Sequence, residues 1–267
     1  MHPAPRIFVI LATALVAFLL GGCAAVPLQD GVFALLPADA VLLGEQHDAA
    51  EHQHIHARTV RELSRRGQLA ALVVEMADAG QTTAGLPPQA DEAAVRQALQ
   101  WNDKAWPWAA YGPAVMAAVR ADVPVLGGNL PRAGVGAAMQ DTGLDATLPP
   151  PALAAQHEAI RAGHCDLLPA TQLAPMARIQ IARDQSMART VLAAARPGQV
   201  VLLLAGSGHV DRQLGVPQHL PPGFRVRAVR LQAGGAAAPA PDFDAVWATP
   251  ALPEKDHCAA LRQRWRP

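Results

Sequence analysis

Four side chains of acid, base and metal-ligand type stand just past apolar runs. Glu45 and His47 follow Val41-Leu42-Leu43-Gly44, Glu75 follows Leu69-Ala70-Ala71-Leu72-Val73-Val74, and His209 follows Val200-Val201-Leu202-Leu203-Leu204 and the turn Ala205-Gly206-Ser207-Gly208. Two imidazoles and a carboxylate can hold a divalent ion, with water completing the shell. The second carboxylate is then free to act as general base on the bound water. Glu45, His47, Glu75 and His209 are therefore the expected metal set, and Glu45 and Glu75 the expected catalytic pair if the chain is a hydrolase. Spacing alone is a weak signal, because a histidine after a glycine turn often only satisfies loop backbone. Four such residues at successive strand ends carry more weight.

Those residues meet only if the apolar runs are neighbouring parallel strands. In an open α/β sheet, ligands bind beyond the carboxyl ends of the strands, and strands buried on both faces read as continuous apolar runs. A further run, Val123-Pro124-Val125-Leu126 leading into Gly127-Gly128-Asn129, adds Asn129 to the same rim. The fold class expected is therefore α/β, a mainly parallel sheet flanked by helices, with room in the chain for a helical insertion. Phe224-Arg225-Val226-Arg227-Ala228 alternates apolar with charged and reads as an edge strand, with another short strand around 245–248.

The helices follow from apolar spacing and stop signals. Residues 51–66 carry Ile55, Val60 and Leu63 on one stripe, Asp48 as candidate cap and Gly67 at the stop. His52, His54 and His56 lie early in that helix; His52 and His56, four apart, share a face and are candidate cofactor ligands, the plainer expectation being partly exposed helix histidines. Further helices are expected over 91–100, 113–120, 152–162 and 173–196, the helical insertion lying roughly in 91–120 and 150–196. The polar residues Gln180, Arg183, Asp184 and Gln185 of the longest helix are candidates to line the site, a solvated face being the plainer expectation for most of them. The segment 101–113 holds three of the five tryptophans and the only tyrosine. It either anchors a helical layer on the sheet or walls a flat ligand, with Tyr111 offering a phenolate to ferric iron. Arg132 is placed to clamp a carboxylate near the rim.

The 267 residues carry a formal net charge of +0 and are 51% hydrophobic, which suits one domain with a substantial core over 23–267. With no basic block interleaved with aromatics, nucleic-acid binding is not expected. Arg6, the apolar run Ile7 to Leu20 and Leu20-Gly21-Gly22-Cys23 look like a bacterial lipoprotein signal (1–22) with its lipobox, making Cys23 the lipidated N-terminus. Ala24 in place of an aspartate implies sorting to the outer membrane, periplasmic side. Cys165 and Cys258 then remain as an even pair in an oxidising compartment, and they are expected to form a disulfide.

The turn Gly44-Glu45-Gln46-His47, Glu75 after its strand and the turn Gly206-Ser207-Gly208-His209 resemble the paired Gly-x-x-His motifs and two glutamates of the Tiki-like superfamily. Within it, the lipobox, Leu42-Leu43-Gly44-Glu45-Gln46-His47-Asp48, the Trp and Tyr segment ending in Gly112-Pro113, the stretch Arg183-Asp184-Gln185-Ser186-Met187-Ala188 and the Cys165/Cys258 pair resemble ChaN-family lipoproteins. That resemblance implies a parallel-sheet α/β domain with a small helical subdomain, haem as ligand and an uptake role at the outer membrane. It further implies a homodimer with haem at its interface on tyrosine, and an outer-membrane iron receptor as partner. Only Tyr111 can supply the phenolate; otherwise the iron takes histidine or no haem is bound. The wider superfamily implies the alternative, metal-dependent hydrolysis.

Overall fold

The computed structural model describes residues 31–235 and 242–264, so the signal segment and Cys23 lie outside the described residues. Six strands form one sheet, all parallel: β1 (Ala40–Glu45), β2 (Leu69–Asp78), β3 (Val125–Asn129), β4 (Val200–Gly206), β5 (Val226–Ala233) and β6 (Ala245–Thr249). Their order is β3-β2-β4-β1-β5-β6. The chain starts at β1 and moves outward to β2 and β3. It then returns to insert β4 between β2 and β1 before leaving toward the other edge. That reversal sets the carboxyl ends of β2, β4 and β1 side by side, and Glu45 is in register with Gly206.

The central strands read as apolar runs because each faces two cores. Alternate residues divide them: Leu43, Val74, Leu202 and Leu204 enter one core, while Leu42, Val73, Val201 and Leu203 enter the other. Helices α1 (Ala50–Arg65) and α3 (Trp108–Arg120), with the short α2 (Glu92–Ala98), cover the first face. The long α6 (Ala170–Ala194) covers the second through Met187, Ala188 and Val191. Between them in sequence, α4 (Val135–Gln140) and α5 (Pro150–Gly163) pack on the first half of α6 around a small core of their own that includes Ala138, Leu144, Ala152 and Ile181. Helix α5 and the first half of α6 therefore share a small core of their own, whereas the rest of α6 packs on the sheet and α3 packs into the core of the other face through Tyr111 and Val115.

Several boundaries differ from the sequence expectation for identifiable reasons. The strand expected from Val123 begins at Val125, after Pro124, which has no N–H to give to a ladder. The expected edge strand at 224–228 is instead an interior strand over Val226–Ala233, paired with β1 and β6. Its charges misled because they are answered in the fold: Arg225 pairs with Asp39 and Arg227 with Asp244. The outer edge of β3 is covered by residues 81–83, where Thr83 N–H donates to Val125 and Gly127 N–H donates to Gln81. Helix α3 starts at Trp108, not Pro113, because Asp103 Oδ1 accepts the Trp108 N–H from five residues upstream. Asp48 does not cap α1, whose N-cap is Ala49 without a side-chain bond. Three short helices were not anticipated, α4, α7 (Ser207–Val210) and α8 (His257–Arg264). A disulfide joins Cys165, after α5, to Cys258 in α8.

Candidate functional site

The carboxylate of Glu45 terminates β1 and is 1% exposed. Its Oε1 accepts from His47 Nδ1–H at 2.7 Å and from the Tyr111 hydroxyl at 2.6 Å, and its Oε2 accepts from Gln53 Nε2 at 2.8 Å. His56 Nδ1 lies 3.6 Å from Oε2. Burial alone would raise the pKa of Glu45, but the hydrogen bonds from His47 and Tyr111 help to outweigh it and hold the acid ionised. His47 is desolvated too, yet its bond to Glu45 and the charges of Glu75 and Glu45 raise its pKa. With Nδ1 committed to Glu45, Nε2 is the nitrogen left for a ligand. The His47 side chain is 43% exposed and meets Trp106 edge-on at 4.9 Å.

A second acid–imidazole pair faces it. Glu75 Oε2 accepts the Gly206 N–H at 2.7 Å, and Asn129 Nδ2 donates to the Glu75 carbonyl at 2.9 Å. His209 Nε2 stands 3.6 Å from Glu75 Oε1, while its Nδ1–H donates to Asp184 Oδ1 at 2.6 Å. Burial would lower the pKa of His209, but the charges of Asp184 and Glu75 carry it up to about 9. Asp184, on α6, is 2% exposed, and burial pushes it up to about 6 against the pull of the His209 imidazolium. Glu45, His47, Asp184 and His209 line one cavity of about 370 Å³ whose far wall is Ile160 and His164.

Two glycines make this convergence possible. A Cβ on Gly44 would fall 2.3 Å from Val210, so α7 could not seat on β1. A Cβ on Gly206 would fall 2.9 Å from His47 Nε2, inside contact distance. Both glycines of the motif positions are there for close approach.

The expected metal shell is not what these side chains form. Among the described residues, no three His, Cys, Asp or Glu side chains are disposed to hold a metal ion. Glu45, His47, Glu75 and His209 do meet, but their atoms are divided among other bonds: Glu45 takes His47 Nδ1–H, Tyr111 and Gln53, Glu75 Oε2 takes the Gly206 N–H, and His209 Nδ1–H goes to Asp184. Nor are the helix histidines partly exposed: His52 and His56 are 0% and 1% exposed. His52 Nδ1 accepts the Gln46 N–H at 3.0 Å and its Nε2 reaches Thr249 Oγ1 at 3.0 Å, so both nitrogens are used in tying the β1 turn to β6. His56 has no hydrogen-bond partner, and burial drops its pKa to about 4. Only His54 is exposed, beside Glu51.

Tyr111 is 4% exposed, with its hydroxyl on Glu45. Burial and the Glu45 charge drive its pKa far above the ordinary value, so it is a neutral phenol. Arg132 is exposed and makes no ion pair among the described residues. It lines a recess of about 200 Å³ with Asp78, Trp106 and Asn129. Sequence reasoning missed Gln53, and it named Asp184 as a candidate to line the site while favouring a solvated face. For Asp184 a signal existed, because it lies three residues after Ile181 and four before Ala188, in phase with the buried stripe of α6.

A family described as haem-binding uptake, Tiki superfamily, ChaN, matches residues 32–220. The chain belongs to this ChaN family. Among solved structures, ChaN of Campylobacter jejuni, described with cofacial haem binding, superposes with a TM-score of 0.64 at 23% identity, over 78% of this chain and 87% of that one. The type III effector HopBA1 superposes with a TM-score of 0.50 at 16% identity, over 80% and 88% of the two chains. At these identities both likenesses concern the fold. No curated protein matches the sequence. The ChaN match ends at residue 220, so β5, β6 and α8 lie beyond it.

Proposed function

We propose that this protein is a lipid-anchored haem-binding protein of haem-iron uptake, with haem held at the mouth of the rim cavity. The observation that carries the reading is membership of the ChaN family across residues 32–220, a span that contains the whole Glu45, His47, Glu75 and His209 cluster. The residues present fit haem in part. A half-exposed imidazole backed by a carboxylate stands at the rim, and the unpaired Arg132 beside Trp106 suits a propionate. The Tyr111 phenol does not fit as a ligand, since it is buried and bonded to Glu45. Bound haem supplies iron as cargo for uptake; the chain binds and orients it.

The lipobox ending at Cys23 supports anchoring, and Ala24 supports the outer membrane, periplasmic side. The cofacial haems named for the Campylobacter jejuni protein support a homodimer here, and an outer-membrane iron receptor is the partner expected to deliver haem. Metal-dependent hydrolysis has no comparable support, because among the described residues no three donor side chains are disposed to hold a metal ion and Glu45 already accepts three hydrogen bonds.

The test is a haemin titration of the Cys23→Ser protein followed at the Soret band, with membrane fractionation of wild type and Cys23→Ser in parallel. Saturable binding and release of the variant from membranes are expected. A haemin spectrum unchanged by the protein would reject the haem reading, and membrane retention of the variant would reject the anchor.

A further inference from the structure

We infer that the only phenol of the chain is withheld from iron and instead tunes Glu45 as the acceptor for His47, so that imidazole, not phenolate, is the donor this rim would offer to haem iron. The inference rests on the haem reading above and names the ligand at that same site.

Three observations carry it. Tyr111 is the single tyrosine of the sequence, so no other phenol can replace it. It is 4% exposed inside the main core, tilted against Trp101 and edge-on to Trp106, and a porphyrin cannot reach its oxygen without unpacking that cluster. Its hydroxyl and the His47 Nδ1–H converge on one atom, Glu45 Oε1, at 2.6 and 2.7 Å.

Two donors on one oxygen compete for its electron density. The Tyr111 hydroxyl therefore weakens the pull of Glu45 on the His47 proton, and Gln53 on Oε2 does the same from the other side. A carboxylate behind a ligating histidine fixes which nitrogen faces the metal and raises its donor strength. Tyr111 is thus a positioning residue that moderates the basicity of His47 through Glu45. Of the two rim imidazoles His47 is the accessible one, at 43% side-chain exposure against 12% for His209, which is held between Asp184 and Glu75.

Resonance Raman spectra of the ferric and ferrous haemin complexes of the Cys23→Ser protein decide the ligand without further mutation. Iron–histidine stretching and no phenolate modes are expected. Phenolate modes that vanish in Tyr111→Phe would overturn the inference. In Tyr111→Phe, haemin is expected to bind with unchanged stoichiometry and a higher iron–histidine frequency, because Oε1 is then a stronger acceptor. His47→Ala is expected to weaken binding at least tenfold; undiminished binding would overturn the assignment. An arm without haem separates this failure from that of the functional reading: in the apo protein the His47 ring N–H proton resonance should move downfield in Tyr111→Phe. If wild type binds no haemin, the functional reading falls, and with it the iron ligand. The tuning of Glu45 by Tyr111 then stands or falls on that resonance, an unmoved signal overturning it.

Discussion

Glu45 gathers three hydrogen bonds on two oxygens while almost wholly removed from water, a degree of satisfaction that a buried carboxylate needs to stay charged. His56 beside it is the opposite case, a buried imidazole without a partner, held neutral at a pKa of about 4. Because its folded pKa lies below the unfolded value of 6.5, His56 adds no penalty above pH 6.5 and costs stability progressively as pH falls toward 4. The shift corresponds to roughly 3 kcal/mol. Urea unfolding of wild type and His56→Leu at pH 7 and pH 4.5 should show the variant losing less stability on acidification; parallel losses would contradict it. At the second pair, Asp184→Asn should lower the His209 pKa from about 9 toward the ordinary value, read by NMR titration of its ring protons. A value unchanged in the variant would mean that Asp184 does not hold the imidazolium. What sequence showed at this scale was residue type. Histidines 52, 54 and 56 look alike on the page, yet one ties two strands, one is exposed and one is orphaned, because only the packing of α1 on the sheet and on α3 distinguishes their faces.

The elements that position these side chains were the most legible part of the chain. Runs such as Val200-Val201-Leu202-Leu203-Leu204 can only be strands buried on both faces, and such strands in an α/β chain run parallel, which puts their last residues on one rim. Less legible were the elements whose stabilising contacts come from afar. Helix α3 begins at Trp108 because of Asp103, and β5 keeps Arg227 because Asp244 answers it. Helix α8 has no apolar stripe to announce it and is held through Cys258. Gly206 makes the element-level argument testable. In Gly206→Ala the new methyl would displace His47 from the turn, a steric change expected to cost about 1–3 kcal/mol in stability. Haemin binding should fall at least tenfold while a cooperative unfolding transition is retained; full haemin affinity in this variant would show that the β4 turn does not position His47.

For the whole molecule, a signal-like first segment led to the expectation of an oxidising compartment, and from that expectation followed the pairing of Cys165 with Cys258 that the structure contains. The bridge spans 93 residues and ties the C-terminal helix to the α5 end of the layer that walls the cavity. Closing so long a loop restricts the unfolded chain, and removal of the bridge in Cys165→Ser with Cys258→Ser should lower the unfolding free energy by about 2–4 kcal/mol. A urea midpoint identical to wild type would contradict this. The order of the strands was not legible, because nothing local says that β4 returns to the centre; that insertion is what brings residues 45, 75 and 209 together from across the chain. Haemin titration of the Cys23→Ser protein and of its His47→Ala derivative, followed at the Soret band, bears most directly on the claim that this rim holds haem through imidazole. A saturable shift that is weakened at least tenfold in the His47 variant is the expected result, and equal binding by both proteins, or by neither, would contradict it.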